Sequence, residues 1–76
     1  MSGNNTMFCV YQEHTEKTSH CHWTKITILG LFSDEVNANR HFELMKAERE
    51  LVHKCNEVHV YMTSFEIEVP IEHDLD

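Results

Sequence analysis

Residues 26–55 read ITILGLFSDEVNANRHFELMKAERELVHKC, and this stretch decides the fold. Its β-branched start, continued through Gly30 to Phe32, predicts a strand. Ser33 then predicts a helix N-cap, because its hydroxyl can accept a backbone N–H of the first turn. Acidic residues follow at the positive end of the helix dipole, and strong helix formers continue after them. The pattern therefore predicts a strand that leads directly into a helix over about residues 34–56.

The predicted helix carries two apolar stripes when its residues are spaced at about 100°. The first stripe comprises Ala38, Phe42, Met45 and Val52. The second comprises Val36, Leu44, Ala47, Leu51 and Cys55. A polar stripe comprises Asn39, Glu43, Lys46, Glu50, His53 and Glu57. One apolar stripe is enough to pack on a sheet, so the second is either covered by another segment of this chain or in contact with a second protein chain.

Three strands are predicted around this helix. The first covers residues 7–13, and a long polar loop over residues 14–23 leads to the second, residues 24–32. The third covers residues 58–71, where the apolar phase slips at residues 63–64 and indicates a β-bulge. A hairpin followed by a right-handed crossover predicts a three-stranded antiparallel sheet in the order 2-1-3, with the helix on one face. The fold class is therefore α+β with a ββαβ order.

The chain of 76 residues is predicted to form one domain, with residues 1–6 and 72–76 as disordered tails. At this size only about 60% of the unfolded surface can be buried, and oligomerisation is a common source of extra stability. The other face of the predicted sheet is apolar and uncovered. Surplus apolar surface of this kind marks an interface, so a homodimer is expected.

The charge balance excludes some functions and favours others. Six Lys and Arg residues stand against 13 Asp and Glu, a net charge of −7 with His neutral. Direct nucleic-acid binding is not expected, because it needs clustered basic residues. A protein partner with a basic surface is expected instead. The three Cys residues are widely spaced and odd in number, which predicts free thiols in a reducing compartment. The first residues do not resemble a signal peptide, and no apolar run is long enough to span a bilayer. A cytoplasmic location without membrane contact is therefore expected.

The strand MFCVY at residues 7–11, the stretch ILGLFSDEVNA at 28–38 and the strand FEIEV at 65–69 resemble a group of very small uncharacterised phage and bacterial proteins. In that group a second strand ending in G-x-F-S precedes a helix that opens with acidic residues. The resemblance covers about residues 7–69 and implies a small phage-like accessory protein. It supplies no catalytic residues, and this chain departs from the pattern in its His-rich loop and its long last strand.

The sequence offers one cluster with metal-binding chemistry. His20 and His22 project to one side of an extended segment around Cys21, and they could bind Zn²⁺ with a further ligand. No Cys-x-x-Cys pair accompanies them. Cys21 is also the candidate for a reactive thiolate, but no oriented base or oxyanion site is evident, so an enzyme is not expected. A small metal-binding or ligand-sequestering regulatory protein is the alternative function.

The leading hypothesis is a non-enzymatic inhibitor or modulator of a host protein, encoded by a phage. Anti-defence (anti-CRISPR-like) proteins that inhibit nucleic-acid-guided nucleases share this size and acidity, which is an argument by analogy. A structural component of a viral particle is a third possibility. The predicted partner-binding residues are carboxylates and exposed aromatic residues: Glu43, Glu50, Glu57, Glu66, Glu68, Trp23, Tyr11 and Tyr61. No cofactor is expected, with zinc as the alternative.

Overall fold

The computed structural model describes the backbone of residues 3–69 and the side chains of residues 5–67. The elements are β1 (Gly3–Lys17), β2 (His22–Phe32), α1 (Glu35–Arg49), β3 (Leu51–His53) and β4 (Asn56–Val69). All neighbouring strands in these residues are antiparallel, in the order β2-β1-β4-β3. The α+β class and the adjacency of the three long strands are as predicted. The three-stranded sheet is wrong, because the described part of the chain forms a four-stranded sheet.

The fourth strand comes from residues that the sequence assigned to the helix. The helix ends at Arg49, and Glu50 is extended, with φ −65° and ψ 135°. Leu51 then pairs with Val58, so the short β3 lies beside β4. Helix formers dominate up to residue 50, but the apolar pair after it is better accommodated on a sheet edge than on a solvated helix turn.

The helix begins one residue later than expected. Asp34, rather than Ser33, is the N-cap, and its side chain accepts the backbone N–H of Val36 at 3.3 Å. Glu35 follows in the first turn, while Lys46 and Arg49 lie in the last turn. These charges complement the two ends of the helix dipole.

The predicted loop over residues 14–23 is mostly strand. β1 and β2 pair as far as Lys17 and His22, and only a four-residue turn remains. The Thr18 hydroxyl organises this turn, because it accepts the backbone N–H of Cys21 at 2.9 Å and that of His20 at 3.3 Å. A local hydroxyl–backbone bond of this type replaces the Asn-Gly signal of tighter hairpins.

The β-bulge lies in β2, and the bulge predicted at residues 63–64 is wrong. Val10 pairs with Gly30 and Tyr11 with Ile28, which leaves Leu29 without a partner in β1. The register between β1 and β4, by contrast, is continuous. One extra residue inverts the faces of a strand. Gly30 therefore lies on the opposite face of the sheet from Ile28, whereas simple alternation would place both residues on the same face.

The helix packs on one face of the sheet through the first apolar stripe. Ala38 is fully buried, and Phe42 and Met45 are half-buried beside it. Below the helix, Val10 and Val60 are almost completely buried. Cross-strand partners share a face, so Gly30, Val10 and Met62 form one row under the helix. We call the face that contains this row, and every second row on either side of it, the helix side of the sheet.

The sheet is much longer than the helix that covers it. Fifteen residues of β1 extend about 50 Å, whereas the fifteen residues of α1 extend about 22 Å. Beyond Phe8, β1 and β4 continue alone as a two-stranded ribbon that ends at Gly3 and Val69. The sequence assigned residues 3–6 of this ribbon to a frayed tail. The predicted tail at residues 72–76 lies outside the described residues, as do Pro70 and Ile71 of the predicted last strand.

The molecule is flat and elongated as a result. Its principal extents are 57 × 30 × 12 Å and its radius of gyration is 17.2 Å. A compact chain of this length would have a radius of gyration of about 11 Å. A single helix layer on a long sheet therefore leaves much of the sheet open to solvent.

Candidate functional site

The face of the sheet opposite α1 carries most of the exposed large apolar side chains of residues 5–67. We call it the helix-free face. Its central rows are Leu31–Cys9–Thr63 and Ile28–Tyr11–Tyr61. Its exposed large apolar side chains are Ile26, Ile28, Leu31, Val52, Tyr61, Phe65 and Ile67, each between 40% and 74% exposed. The unbroken register of β4 turns Phe65 to this open face.

Two aromatic residues predicted as partner anchors meet on the helix-free face. Tyr11 and Tyr61 are cross-strand partners, and their ring centroids lie 5.5 Å apart with planes tilted by 32°. His59 follows on the same face, 6.2 Å from the Tyr61 ring. Tyrosine combines a large contact area with a polar tip that tolerates water. The pair therefore forms a preformed aromatic anchor in the middle of an open sheet.

The part of the predicted second apolar stripe that lies within α1, Val36, Leu44 and Ala47, also faces solvent, whereas Leu51 belongs to β3 and Cys55 to the turn after it. Val36 is 59% exposed and Leu44 is 51% exposed. We call their side of the helix the outer face of α1; it comprises Val36, Arg40, Glu43, Leu44 and Ala47. Within residues 5–67, no ion pair involves Glu43 or the flanking Glu35 and Glu48. The outer face thus presents apolar side chains beside unneutralised carboxylates.

The sequence assigned Glu50 to the polar stripe of the helix, but its carboxylate is engaged in contacts with the sheet. One of its carboxylate oxygens accepts the backbone N–H of Val60 at 3.2 Å. The same oxygen lies 3.8 Å from Lys46 Nζ and 3.9 Å from His59 Nδ1. The Val60 N–H points to the edge of β4 just beyond the end of β3. Glu50 therefore fastens the end of α1 to the sheet, which is a structural role.

Glu57 belongs to the same network from the other side. Its carboxylate accepts a bond from His59 Nε2 at 3.1 Å, so the imidazole lies between two carboxylates. Of the two contacts, only that of Nε2 with Glu57 is a hydrogen bond, and Nδ1 faces Glu50 at 3.9 Å. This contact between β4 and the residue after α1 was not evident from the sequence, where residues 50, 57 and 59 looked like solvated surface.

Trp23 lies on the helix side, beyond the end of α1. It is 40% exposed, and its indole contacts the ring of His14 edge to face, with centroids 5.2 Å apart. His14 in turn makes a hydrogen bond to the side-chain oxygen of Asn56. These three residues tie β1, β2 and β4 together at the hairpin end. Trp23 is thus an exposed aromatic residue held in a fixed orientation.

The predicted partner-binding residues fall on different surfaces. Glu43, Glu66 and Trp23 lie on the helix side, whereas Glu57, Tyr11 and Tyr61 lie on the helix-free face. The backbone of Glu68 is paired in the β1–β4 ribbon, and its side chain lies outside the described residues. Glu50 and Glu57 meet at His59, but Glu43 and Glu66 lie on the other side of the sheet from Glu57. Exposed apolar side chains, more than clustered carboxylates, characterise both the helix-free face and the outer face of α1.

The candidate metal ligands lie in and next to the hairpin turn. His20 and Cys21 belong to the turn and His22 begins β2, and all three are exposed. Across the part of the chain that the structure describes, no group of three or more His, Cys, Asp or Glu side chains has a geometry that could hold a metal ion. No pocket is present in that part either. The three cysteines are free, with Cys9 buried and the other two exposed.

No protein-family model matches this chain, and comparisons with curated proteins and with solved structures find no match. Among residues 3–69, no helix combines the length and apolar character needed to cross a lipid bilayer.

Proposed function

We propose that this protein is a non-enzymatic, acidic interaction protein that binds a host protein through the outer face of α1. The observation that carries the proposal is the exposure of Val36 and Leu44 beside Glu43. Apolar side chains supply contact area when they are covered by a partner. Carboxylates without intramolecular ion pairs are available to a cation on that partner.

The partner class follows from charge. A net charge of −7 favours association with a basic surface and raises the rate of that association. Proteins that handle nucleic acids expose such surfaces along their channels. We therefore propose a phage-encoded inhibitor or modulator of a nucleic-acid-handling host protein, acting in the host cytoplasm. The phage origin draws on the sequence resemblance, and the anti-defence role is an analogy.

The arrangement of exposed groups on the helix side suits a protein contact. Trp23 at the hairpin end and Glu66 on the projecting ribbon lie on the same side of the sheet as α1. A partner that contacts the outer face of α1 can extend toward either end. Trp is among the residue types enriched at interface hot spots, and its ring is held in place by His14.

The experiment is capture of proteins from a bacterial host lysate on the immobilised chain, repeated over a salt series. Binding should weaken steeply with salt, because charges at a surface are screened within about 8 Å at physiological ionic strength. Duplex DNA should compete if the partner uses a nucleic-acid channel. Capture that is indifferent to salt and to DNA would contradict the proposed partner class.

Matched variants locate the contact. Glu43→Lys and Leu44→Lys should each reduce capture of the same partner at least about tenfold, by charge reversal and by loss of apolar contact. Glu13→Lys makes the same change in net charge on the opposite face of the sheet and should leave capture nearly unchanged. Equal loss with Glu13→Lys would show that net charge alone governs binding.

The metal hypothesis predicts a different pattern. The double change His20→Ala and His22→Ala should leave capture intact if the outer face of α1 is the contact. A regulatory metal protein would instead contain stoichiometric zinc by elemental analysis and lose it with these two substitutions.

A further inference from the structure

We infer that a second copy of this chain covers the helix-free face, so that two sheets pack face to face with the two helices outside. This surface is separate from the outer face of α1, and the inference does not depend on the proposed function. It begins from the place where the exposed apolar side chains lie. Seven of the eleven exposed large apolar residues of residues 5–67 project from this one face: Ile26, Ile28, Leu31, Val52, Tyr61, Phe65 and Ile67.

The core of one copy is small and lies almost entirely on one side of the sheet. The buried apolar residues of the described chain are Cys9, Val10, Ala38 and Val60. Three of these four lie between α1 and the helix side of the sheet. The opposite face has only Cys9, which lies between Leu31 and Thr63 in its cross-strand row. A long sheet with one solvated apolar face is unusual for a small monomer, and a second sheet about 10 Å away is a common way to cover it.

The flat, elongated chain exposes more surface than a compact monomer of its mass. The chain exposes 5637 Å², whereas a compact monomer of 9.0 kDa would expose about 4,900 Å². The difference is about 700 to 800 Å². A standard stable interface buries about 800 Å² on each partner. One copy thus exposes an excess of the size that one side of a dimer interface would remove.

The charges on the helix-free face permit a twofold arrangement. Along β1 the side chains on this face are Met7, Cys9 and Tyr11 before the first carboxylate at Glu13. A twofold axis near the row of Cys9 places the Tyr11–Tyr61 pair of each copy inside the contact. It leaves the row Ile26–Glu13–His59 at the rim, where water can solvate the carboxylate. The rows of Leu31 and Ile28 are thus covered without burying an unpaired carboxylate, and Val52, beside Glu57, lies beyond the rim.

The test compares two leucines of similar exposure on opposite sides of the molecule. Leu31 is 57% exposed on the helix-free face and Leu44 is 51% exposed on the outer face of α1. In a monomer both substitutions to Lys would be nearly neutral. In the inferred dimer, Leu31→Lys buries an unpaired ammonium group from each copy near the twofold axis and should weaken dimerisation about a hundredfold or more. Leu44→Lys should leave the dimer intact.

The readouts are the mass in solution and the melting temperature of the full-length chain. Light scattering at tens of micromolar should give twice the chain mass of 9.0 kDa for the unaltered protein and for Leu44→Lys, and a folded monomer for Leu31→Lys. The melting temperature of the unaltered protein should rise with concentration, as dimerisation requires. Circular dichroism establishes that each variant retains its helix and strands.

Three results would overturn the inference. The first is a monomer of the unaltered chain whose melting temperature does not depend on concentration; a different occupant would then cover the face. The second is a dimer that survives Leu31→Lys. The third is a dimer lost only with Leu44→Lys, which would move the interface to α1. If Leu31→Lys does not fold, Leu31→Ser replaces it, and an unchanged dissociation constant for that variant would also overturn the inference.

Discussion

His41 donates its Nε2–H to the backbone carbonyl oxygen of Leu29, 3.1 Å away. Leu29 is the one residue of the β2 segment paired with β1 that has no partner there. A carbonyl can only accept, so the tautomer that carries a proton on Nε2 is the one that fits. The helix thus supplies a hydrogen bond to the Leu29 carbonyl at the bulge, and this contact ties α1 to β2 there.

Removal of the His41 donor should destabilise the fold measurably. His41→Phe keeps an aromatic ring beside Phe32, whose centroid lies 5.2 Å from the imidazole, but leaves the Leu29 carbonyl unpaired. We expect a loss of about 1–3 kcal/mol of unfolding free energy in urea denaturation. His53→Phe, at an exposed position of β3, is the control and should change little. Equal stability of the two variants would show that water satisfies the carbonyl.

A methyl group at Gly30 should destabilise the fold. A Cβ built there would lie 2.7 Å from Cε1 of Phe32 and 3.2 Å from Cδ2 of His41. The Phe32 ring covers the space directly above Gly30. The φ angle of Gly30 is not positive, so the obstacle to a side chain there is the ring and not the backbone conformation. We expect Gly30→Ala to cost about 1–3 kcal/mol through overpacking, as measured by thermal and urea unfolding.

The double variant tests the cause of that loss. Gly30→Ala with Phe32→Leu should be less destabilised than the sum of the two single variants, because the smaller side chain makes room for the methyl group. Strict additivity of the two changes would indicate that the ring is not the obstacle.

The order of the long elements could be predicted from the sequence, and the bulge could not. Alternation of apolar residues identifies strands, and the helix formers after Asp34 identify the helix. Alternation also indicates that the side chains of one strand must change faces at an extra residue, but it does not say which strand contains that residue. The slip was assigned to residues 63–64. In β2, where every side chain from Ile28 to Phe32 is apolar apart from Gly30, no change of polarity marks the extra residue.

The candidate site was harder to predict because surface residues do not reveal their neighbours. Glu50 fits the polar stripe of a continuous helix, and only the early end of α1 at Arg49 brings it to the edge of β4. Tyr11 and Tyr61 could be nominated as anchors from residue type, yet their contact depends on the register of two strands separated by 50 positions. Local patterns do not fix long-range register.

Ala38 and Ala47 should respond in opposite ways to the same enlargement. Ala38 is fully buried where α1 meets the sheet, and Ala47 is exposed on the outer face of α1. Ala38→Leu forces extra volume between helix and sheet, and we expect a loss of about 1–3 kcal/mol or more. Ala47→Leu should change stability by less than about 0.5 kcal/mol. Thermal unfolding of the two variants checks the orientation of the helix, which is wrong if the order of the effects is reversed.

Glu50 should contribute to stability mainly through its bond to the Val60 N–H. We expect Glu50→Ala to cost about 1–2 kcal/mol, because it leaves that backbone donor unpaired at the sheet edge. Glu43→Ala, on the outer face of α1, is the matched control and should cost less than about 0.5 kcal/mol. Urea denaturation at low and high salt is the measurement.

Glu50→Gln separates the hydrogen bond from the charge. Glutamine keeps an oxygen that can accept the Val60 N–H but loses the attraction to Lys46, whose side chain is 49% exposed at an N–O distance of 3.8 Å. A half-exposed pair of this kind contributes at most about 0.5 kcal/mol and is screened by salt. Glu50→Gln should therefore retain most of the stability that Glu50→Ala loses. If Gln proves as damaging as Ala, and high salt removes the difference from the unaltered chain, the contacts with Lys46 and His59 are the ones that fasten α1 to β4.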